Sequence, residues 1–246
     1  SACFTDSPLD TMESILQVQS EWGLIEKWGG GVGANFSMIR PKGSSITTTH
    51  GQALGPVAVM KMYSFNAKQI TQGSFRLGAH MGTLDVSHPD IQEFIHAKDN
   101  DNTLENFNIS VLVGDDFISA IEAGKEWNLV DPNSQRTVKT VNARSLWNEI
   151  CQSAWQTGDP GIQFRDRVLE TAPIPRLMGV VQSNPCLRGD TRMLADGLGV
   201  RRVDEVGYAG QTVKLWTNNG WTSGTVWKTG TKETVQVILS NGQRVT

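Results

Sequence analysis

The three cysteines, Cys3, Cys151 and Cys186, could act as nucleophiles or as redox-active thiols. A thiolate is a strong nucleophile, and paired thiols carry electrons as a disulfide. The three are far apart and include no CxxC pair, and the four histidines show no HExxH spacing, so the sequence predicts neither a disulfide framework nor a metal site. Cys151 has the helical spacing of its apolar neighbours and is predicted to be buried. Cys3 could either fill the core or act as a reactive thiol.

Glycine, arginine and amide side chains form three further candidate binding segments. The stretch GGGVGANF, residues 29–36, lets a ligand phosphate or sugar lie against the backbone, or forms a tight turn. It lacks the dinucleotide fingerprint, because no third glycine follows and the order is helix then strand. Arg40 follows a strand and suits a phosphate, or is only a solvated charge. The stretch TQGSFRLGAHMG, with Gln72 and Arg76, is a ligand clamp or a surface connection.

The bulk composition excludes several classes of protein. The 246 residues carry 22 Lys+Arg against 25 Asp+Glu, so there is no basic field to attract nucleic acid or an anionic membrane. No apolar run reaches the roughly 18 residues that cross a bilayer, and the start has no signal-peptide pattern. We therefore expect a cytoplasmic protein with a small partner molecule. The start without Met and the abrupt end at GQRVT predict a piece of a longer polypeptide.

Helices and strands alternate over the first three quarters of the chain and would position these segments. Apolar periodicity predicts helices at about 12–28, 57–70, 89–98, 115–124 and 143–157. Strands are predicted at about 1–4, 29–39, 81–86, 106–113, 161–164 and 179–182, with a hairpin of 126–131 and 136–142. The repeated strand and helix units predict a parallel sheet or barrel with ligands at the strand ends.

A different pattern begins near Pro185. From Cys186 onward, short β-branched strands alternate with NNG and SNG turns, which predicts a small all-β unit. We therefore predict two domains, residues 1–185 and residues 186–246.

The order of the motifs is more specific than any one of them. The series ACF, LDTMESI, GGGVGANFSMIRPKGSSI, GQALGPV, QGSFRLGAHMGTLDVSHPDIQEFI, NFNISV and NPC resembles ribonucleotide reductase large subunits, especially the adenosylcobalamin-dependent class II enzymes, over residues 1–185. The resemblance implies an α/β fold that is part of a ten-stranded barrel, acting on a ribonucleotide substrate. It also implies adenosylcobalamin as cofactor, dNTP or ATP effectors, a thioredoxin or glutaredoxin-type reductant, and a homodimer through the effector-site helices.

The resemblance assigns one group of residues to the substrate side. In that family a cysteine thiyl radical takes the ribose 3′-hydrogen, and a cysteine pair supplies the electrons that release the 2′-hydroxyl as water. Cys3 matches the first cysteine of the reducing pair, and Asn184 matches the active-site asparagine. Ala2, Gly30 and Gly31 match the segments near the substrate.

The resemblance assigns a second group to the allosteric effector. Asp10 matches the acidic residue that binds the effector's sugar, and Arg40 matches an arginine near its phosphates. Gln72 and Arg76 lie in the loop that carries effector identity to the substrate pocket. Leu77 replaces a residue that is often basic in that loop, so the implied effector rules are not transferred to this chain.

The resemblance to the reductase breaks at Cys186. The family reads NPCGE, but here Asn184-Pro185-Cys186 is followed by Leu-Arg-Gly-Asp-Thr. The stretch CLRGDT, followed by hydrophobic residues, DG and short strands, resembles the N-terminal splicing block of an intein with a Hint fold. This second resemblance implies that Cys186 attacks the carbonyl of Pro185 in an N-to-S acyl shift. The alternative keeps Cys186 as the radical cysteine of a divergent reductase.

Two further functions remain open at this point. One is a class I reductase that takes its radical from a separate subunit, since no cobalamin-binding motif is visible. The other is a non-catalytic, nucleotide-binding remnant of a split gene. On the intein interpretation, these residues alone are expected to be inactive in both reduction and splicing.

Overall fold

The chain, described by a computed structural model, forms two compact units, Ser1–Cys186 and Leu187–Thr246. The structure describes residues 3–27, 30–46, 50–70, 79–99, 102–171, 192–195, 199–202, 212–217, 220–225, 237–238 and 244–245. The predicted domain boundary at Pro185 and Cys186 lies next to the division between the units, and both residues are outside the described part.

The first unit alternates strands and helices. In chain order its elements are β1 (Cys3–Thr5), α1 (Met12–Lys27), β2 (Gly31–Asn35), β3 (Ser45–Ile46), β4 (Gly51–Gln52), α2 (Pro56–Ile70), β5 (His80–Asp85), α3 (Ile91–Ile95), a 3₁₀ turn (Asn102–Leu104), β6 (Phe107–Val113), α4 (Asp115–Glu122), β7 (Glu126–Val130), β8 (Thr137–Asn142), α5 (Ala143–Thr157), β9 (Gly161–Phe164) and α6 (Arg165–Thr171).

Five of these strands form one parallel sheet in the order β1-β2-β5-β6-β9. Each neighbouring pair is parallel, which confirms the predicted α/β fold with a parallel sheet. Within the described residues the sheet is open, because β1 and β9 each have a single neighbour. The expected ten-stranded barrel is therefore not closed here, since five strands do not complete its circumference.

Local hydrogen bonds determine where two of these elements begin or end. Helix α5 begins where it was predicted, because the Asn142 side chain accepts a hydrogen bond from the Ser145 amide at 3.0 Å. Strand β2 is shorter than the predicted 29–39. It ends at Asn35, whose Oδ1 accepts from the Ser37 amide at 2.8 Å and turns the chain. The predicted strand at 179–182 lies outside the described residues.

Aromatic side chains fill the core between the helices and the sheet. Trp22 of α1, Tyr63 of α2 and Phe107 of β6 are all nearly inaccessible to solvent, and their rings meet edge-on or tilted. The Tyr63 hydroxyl donates to the carbonyl of Ile15 at 2.7 Å, which ties α2 to α1. Each such side chain stabilises the fold by about 1.5–3 kcal/mol through burial.

Cys151 is a correction to the sequence analysis, because its side chain is exposed. The buried stripe of α5 runs through Leu146, Ile150 and Ser153. Cys151 directly follows Ile150, so it points about 100° away from that stripe. The prediction therefore included in the buried stripe a residue that lies one position beyond it.

Two short hairpins extend from the sheet. The predicted pairing of β7 with β8 is present and antiparallel. The Val130 amide donates to the Ser87 carbonyl at 2.7 Å, which fastens the end of β7 to the segment after β5. Strands β3 and β4 form the second hairpin, which is also antiparallel.

The described part of the second unit consists of antiparallel strands. They are β10 (Arg192–Ala195), β11 (Gly199–Arg202), β12 (Thr212–Thr217), β13 (Gly220–Thr225), β14 (Val237–Ile238) and β15 (Arg244–Val245). One sheet has the order β11-β10-β12-β13, and β14 pairs with β15. This arrangement agrees with a β-rich unit, whereas its identity as an intein fragment stays a prediction.

Candidate functional site

Strands β1 and β2 place two of the predicted substrate-side residues next to each other. Cys3 is the register partner of Gly31 in this parallel pair. Gly30 directly precedes β2, and its amide donates to the Ile25 carbonyl at 3.1 Å. A Cβ at Gly30 would lie 2.5 Å from Cγ2 of Ile25, so close packing against α1 requires glycine at this position. This packing is one reason for glycine at position 30, and the predicted contact of Gly30 with a ligand stays a prediction.

The sheet face opposite the hydrophobic core includes polar side chains. Side chains alternate along a strand, and Phe107, Ile109 and Val111 of β6 belong to the hydrophobic core. Asn108 and Ser110 therefore face the other side of the sheet. This face was not predicted from the sequence, although the alternation in NFNISVLV was a signal for it.

One band of small and polar residues crosses this face from strand to strand. Asn35, Thr83, Ser110 and Gly161 are consecutive register partners on β2, β5, β6 and β9. The first three are buried polar residues. A face of this kind can offer hydrogen bonds to a polar ligand, with little side-chain bulk in its way.

Asp10 and Arg40, the two predicted effector residues, form an ion pair. Arg40 Nε lies 2.7 Å from Asp10 Oδ2, and the Arg40 backbone amide donates to Asp10 Oδ1 at 3.0 Å. The other guanidinium nitrogens make long contacts, 3.4 Å to the Ser45 carbonyl and 3.5 Å to the Asp10 carbonyl. The Arg40 side chain is 31% exposed and that of Asp10 is 14% exposed. This site therefore combines a cation accessible to solvent with a nearly buried carboxylate.

Asn133 is a third member of this site that sequence reasoning missed. Its Nδ2 donates to Asp10 Oδ2 at 2.6 Å from the loop between β7 and β8. The only signal in the sequence was the turn-forming DPNSQ, which does not indicate what the turn contacts.

The remaining predicted site residues lie outside the described part of the chain. They are Ala2, Gln72, Arg76, Asn184 and Cys186.

A buried carboxylate and imidazole pair lies at the start of β5. His80 Nε2 and Glu26 Oε1 are hydrogen-bonded, and both side chains are almost completely buried. Asn106 Nδ2 lies 3.4 Å from His80 Nδ1, and the Asn106 amide oxygen in turn accepts a hydrogen bond from Ser64. This network joins α1, α2 and the sheet directly beside the glycine segment, because His80 is the register partner of Val32.

Asp6, close to Cys3 in the chain, is a half-buried carboxyl whose Oδ2 atom is inaccessible to solvent. Its Oδ2 has no hydrogen-bond partner among the described residues. Burial, and then the neighbouring Glu21 carboxylate, raise the pKa of Asp6 to about 6. Hydrogen bonds with Gln17 and then Asp6 lower the pKa of the exposed Glu21. Where the two carboxyls share a proton, Asp6 therefore holds it.

Charged residues also connect the carboxyl ends of the parallel strands. Arg165, the first residue of α6 directly after β9, lies 2.8 Å from Asp85 at the end of β5 and 3.4 Å from Asp166. Burial opposes the charge of Arg165, but Asp85 and then Asp166 raise the pKa of its guanidinium. These carboxylates already have a cation partner, so the cluster stabilises the sheet edge.

No helix within the described ranges is long and apolar enough to cross a membrane.

Comparison with known proteins matches the first unit to one family. Residues 1–188 match the family model of the ribonucleotide reductase barrel domain. The vitamin B12-dependent ribonucleoside-diphosphate reductase of Thermoplasma acidophilum is 41% identical over 187 residues, which are 76% of this chain and 24% of that protein. The enzyme of the same name from Mycobacterium tuberculosis is 37% identical over 185 residues, 75% of this chain and 27% of that protein.

A viral relative aligns over more of the chain. The ribonucleoside-diphosphate reductase large subunit of Invertebrate iridescent virus 6 is 29% identical over 256 aligned positions, which cover 98% of this chain and 25% of the viral protein. The chain thus spans about a quarter of the length of the relatives it matches. With its parallel sheet and a family match over residues 1–188, the chain belongs to the ribonucleotide reductase barrel domain family.

Proposed function

We propose that the protein containing this chain reduces ribonucleoside diphosphates to deoxyribonucleoside diphosphates and depends on vitamin B12. The observation that carries the proposal is the family match over the first unit, in which Cys3 pairs with Gly31. The names of the Thermoplasma and Mycobacterium relatives support the diphosphate substrate and the cofactor. The cytoplasmic location inferred from the sequence stays a prediction.

The proposed reaction removes the ribose 2′-hydroxyl as water and consumes two electrons. A thiyl radical on one cysteine takes the 3′-hydrogen and returns it at the end of the cycle. Two other thiols lose two protons and two electrons and become a disulfide, which a thioredoxin or glutaredoxin-type protein reduces again. In this proposal Cys3 is one of those two thiols. Asn184 belongs to the same active site, which the substrate enters beside Ala2, Gly30 and Gly31.

The cofactor assignment does not rest on residues described in the structure. Within these residues no group of three or more His, Cys, Asp or Glu side chains could hold a metal ion. When bound, adenosylcobalamin supplies the radical that forms the thiyl. Cobalamin binding is therefore proposed for the complete protein and is assigned to none of the residues described in the structure.

The Asp10 and Arg40 pair supports a nucleotide effector site. A carboxylate accepts hydrogen bonds from sugar hydroxyls, and a guanidinium with exposed donors binds phosphate. Asp10 would hold the sugar of a dNTP or ATP, and Arg40 its phosphates. Gln72 and Arg76 complete the proposal as residues of the loop that links effector to substrate.

Exposed apolar residues on α1 and just before it support the proposed homodimer. Leu9, Met12, Leu16 and Leu24 are 61%, 62%, 50% and 63% exposed. Large apolar side chains in one region of the surface favour contact with a second copy of the chain. Sedimentation of the complete protein at micromolar concentration with effector tests this, and a monomer under these conditions would contradict it.

The second unit supports the proposed intein fragment. The family match ends at residue 188, and the described residues beyond it are antiparallel strands. In the proposed first step, Cys186 Sγ attacks the carbonyl carbon of Pro185. The peptide C–N bond breaks, a thioester forms, and the Cys186 nitrogen takes the thiol proton. The reductase's own radical cysteine would then follow the insert.

Turnover tests the reductase proposal. The complete encoded protein is incubated with CDP or ADP, adenosylcobalamin, thioredoxin and its reductase, and deoxynucleotide formation is measured. We expect product only when adenosylcobalamin is present. Product without added cofactor but with a separate radical-generating subunit would instead assign the protein to class I, and no product under either condition would support a non-catalytic remnant.

Intact mass tests the splicing proposal separately. The complete reading frame is expressed as wild type, as Cys186→Ala and as the control Cys151→Ala, which changes an exposed cysteine of the first unit. We expect a ligated reductase and a free insert from the wild type and the control, and an unprocessed precursor from Cys186→Ala. An unprocessed wild type would return Cys186 to the role of radical cysteine.

A further inference from the structure

The loop between β7 and β8 contacts the proposed effector site from an element that the resemblance does not include in it. Asn133 Nδ2 lies 2.6 Å from Asp10 Oδ2, although 123 positions separate the two residues in the chain. Asp10 precedes α1 and Arg40 follows β2, so three separate segments meet at one carboxylate.

Hydrogen bonds within the loop hold Asn133 in place. The Asp131 side chain accepts from the amides of Asn133 at 2.8 Å and Ser134 at 3.2 Å, forming an Asx turn. The Gln135 amide donates to the Asp131 carbonyl at 2.9 Å, and the Asp131 amide donates to the Arg136 carbonyl at 2.9 Å. Asn133 therefore contacts Asp10 from a defined turn that joins two paired strands.

Asp10 Oδ2 has its two acceptor positions filled. Arg40 Nε occupies one and Asn133 Nδ2 occupies the other, and the Arg40 backbone amide donates to Oδ1. A sugar hydroxyl that donates to Oδ2 must displace one of these donors. The charged guanidinium is bound more strongly than the neutral amide, so the amide is the donor that leaves.

We propose that Asn133 is an unassigned residue of the effector site, which occupies the place of the effector's sugar hydroxyl on Asp10 and competes with the nucleotide. The inference rests on the proposed function, because it requires that a nucleotide binds Asp10. The loop between β7 and β8 thereby sets the effector affinity. Exchanging Asn133 for a residue without a donor leaves Oδ2 open to the sugar.

Calorimetric titration of the complete protein with dATP and with dTTP tests the inference. The variants are Asn133→Ala, Asp10→Asn and the control Asn128→Ala, which alters the same hairpin at a residue that bonds only to Thr140 among the described residues. We expect about three- to tenfold tighter binding for Asn133→Ala, which corresponds to the loss of one competing hydrogen bond. The control should bind like the wild type.

The variants distinguish a failure of the inference about Asn133 from a failure of the effector-site proposal. If Asp10→Asn weakens binding and Asn133→Ala leaves it unchanged or weaker, the inference about Asn133 is wrong and the effector site stands. If Asp10→Asn binds both nucleotides as tightly as the wild type, the effector-site proposal fails and the inference fails with it. Tighter binding to both Asn133→Ala and Asn128→Ala would also overturn the inference, because it would show an effect of the hairpin as a whole.

Discussion

At the scale of single residues, two acidic groups of the first unit, the buried Glu26 and the half-buried Asp6, have different surroundings. Glu26 is paired with His80, so its burial is compensated. Asp6 has an unpartnered oxygen and a pKa raised to about 6. The first group stabilises the fold, whereas the second makes stability depend on pH.

Asp6→Asn should remove part of this pH dependence. Because the pKa of Asp6 is about 6 in the folded protein and the ordinary pKa of an aspartate is 3.8, stability falls as pH rises through that interval and then levels off. We expect the variant to have a higher Tm than wild type at pH 7.5 and a smaller Tm difference between pH 4.5 and 7.5. Thermal melts followed by circular dichroism measure both, and an unchanged pH profile would contradict the assignment.

Glu26→Ala should destabilise the protein by about 1–3 kcal/mol, because it leaves the buried His80 ring without its partner. The matched control is Glu105→Ala, which breaks the exposed pair between Lys68 and Glu105 and should cost about 1 kcal/mol or less. Urea unfolding measures the free energy of unfolding of each variant. Equal losses for the two variants would show that the buried pair adds nothing beyond a surface contact.

At the scale of elements, the most predictable features were those with a strong local signal. The bounds of α5 followed from its apolar period, and the β7–β8 hairpin followed from its turn residues. The short α3, Ile91–Ile95, was predicted as 89–98 and differs at both ends, because Asp90 is its N-cap and Pro89 therefore lies before the helix.

The features of the candidate site needed three-dimensional contacts that no local pattern contains. The polar band of Asn35, Thr83, Ser110 and Gly161 depends on the register of four strands. The contact of Asn133 with Asp10 depends on the packing of a distant hairpin. The family resemblance predicted Asp10 and Arg40 as effector residues, and the structure adds that they form an ion pair.

Gly30→Ala tests how α1 positions the glycine segment. The added methyl would lie 2.5 Å from Ile25 Cγ2 and 3.2 Å from the Ile25 carbonyl oxygen, so we expect a loss of about 1–3 kcal/mol. In the background of Ile25→Ala, which removes Cγ2, the same substitution should cost less. Urea unfolding of the four proteins in this cycle gives the coupling energy, and strict additivity would show that Ile25 does not restrict Gly30.

At the scale of the whole molecule, two units with different architectures share one chain. The first matches the reductase barrel family, and the second is a set of antiparallel strands. The vitamin B12-dependent relatives align over about three quarters of the chain, whereas the viral relative aligns over 98% of it. The alignments with the vitamin B12-dependent relatives therefore leave about a quarter of the chain uncovered.

The most direct measurement of the central claim is a single turnover with the complete protein, reduced beforehand and then freed of external thiols. Wild type, Cys3→Ser and the exposed-cysteine control Cys151→Ser are each mixed with CDP and adenosylcobalamin, and dCDP per active site is counted. If Cys3 is a reducing thiol, wild type and Cys151→Ser form dCDP with oxidation of a cysteine pair, and Cys3→Ser forms none. Equal product from Cys3→Ser and wild type would contradict the account.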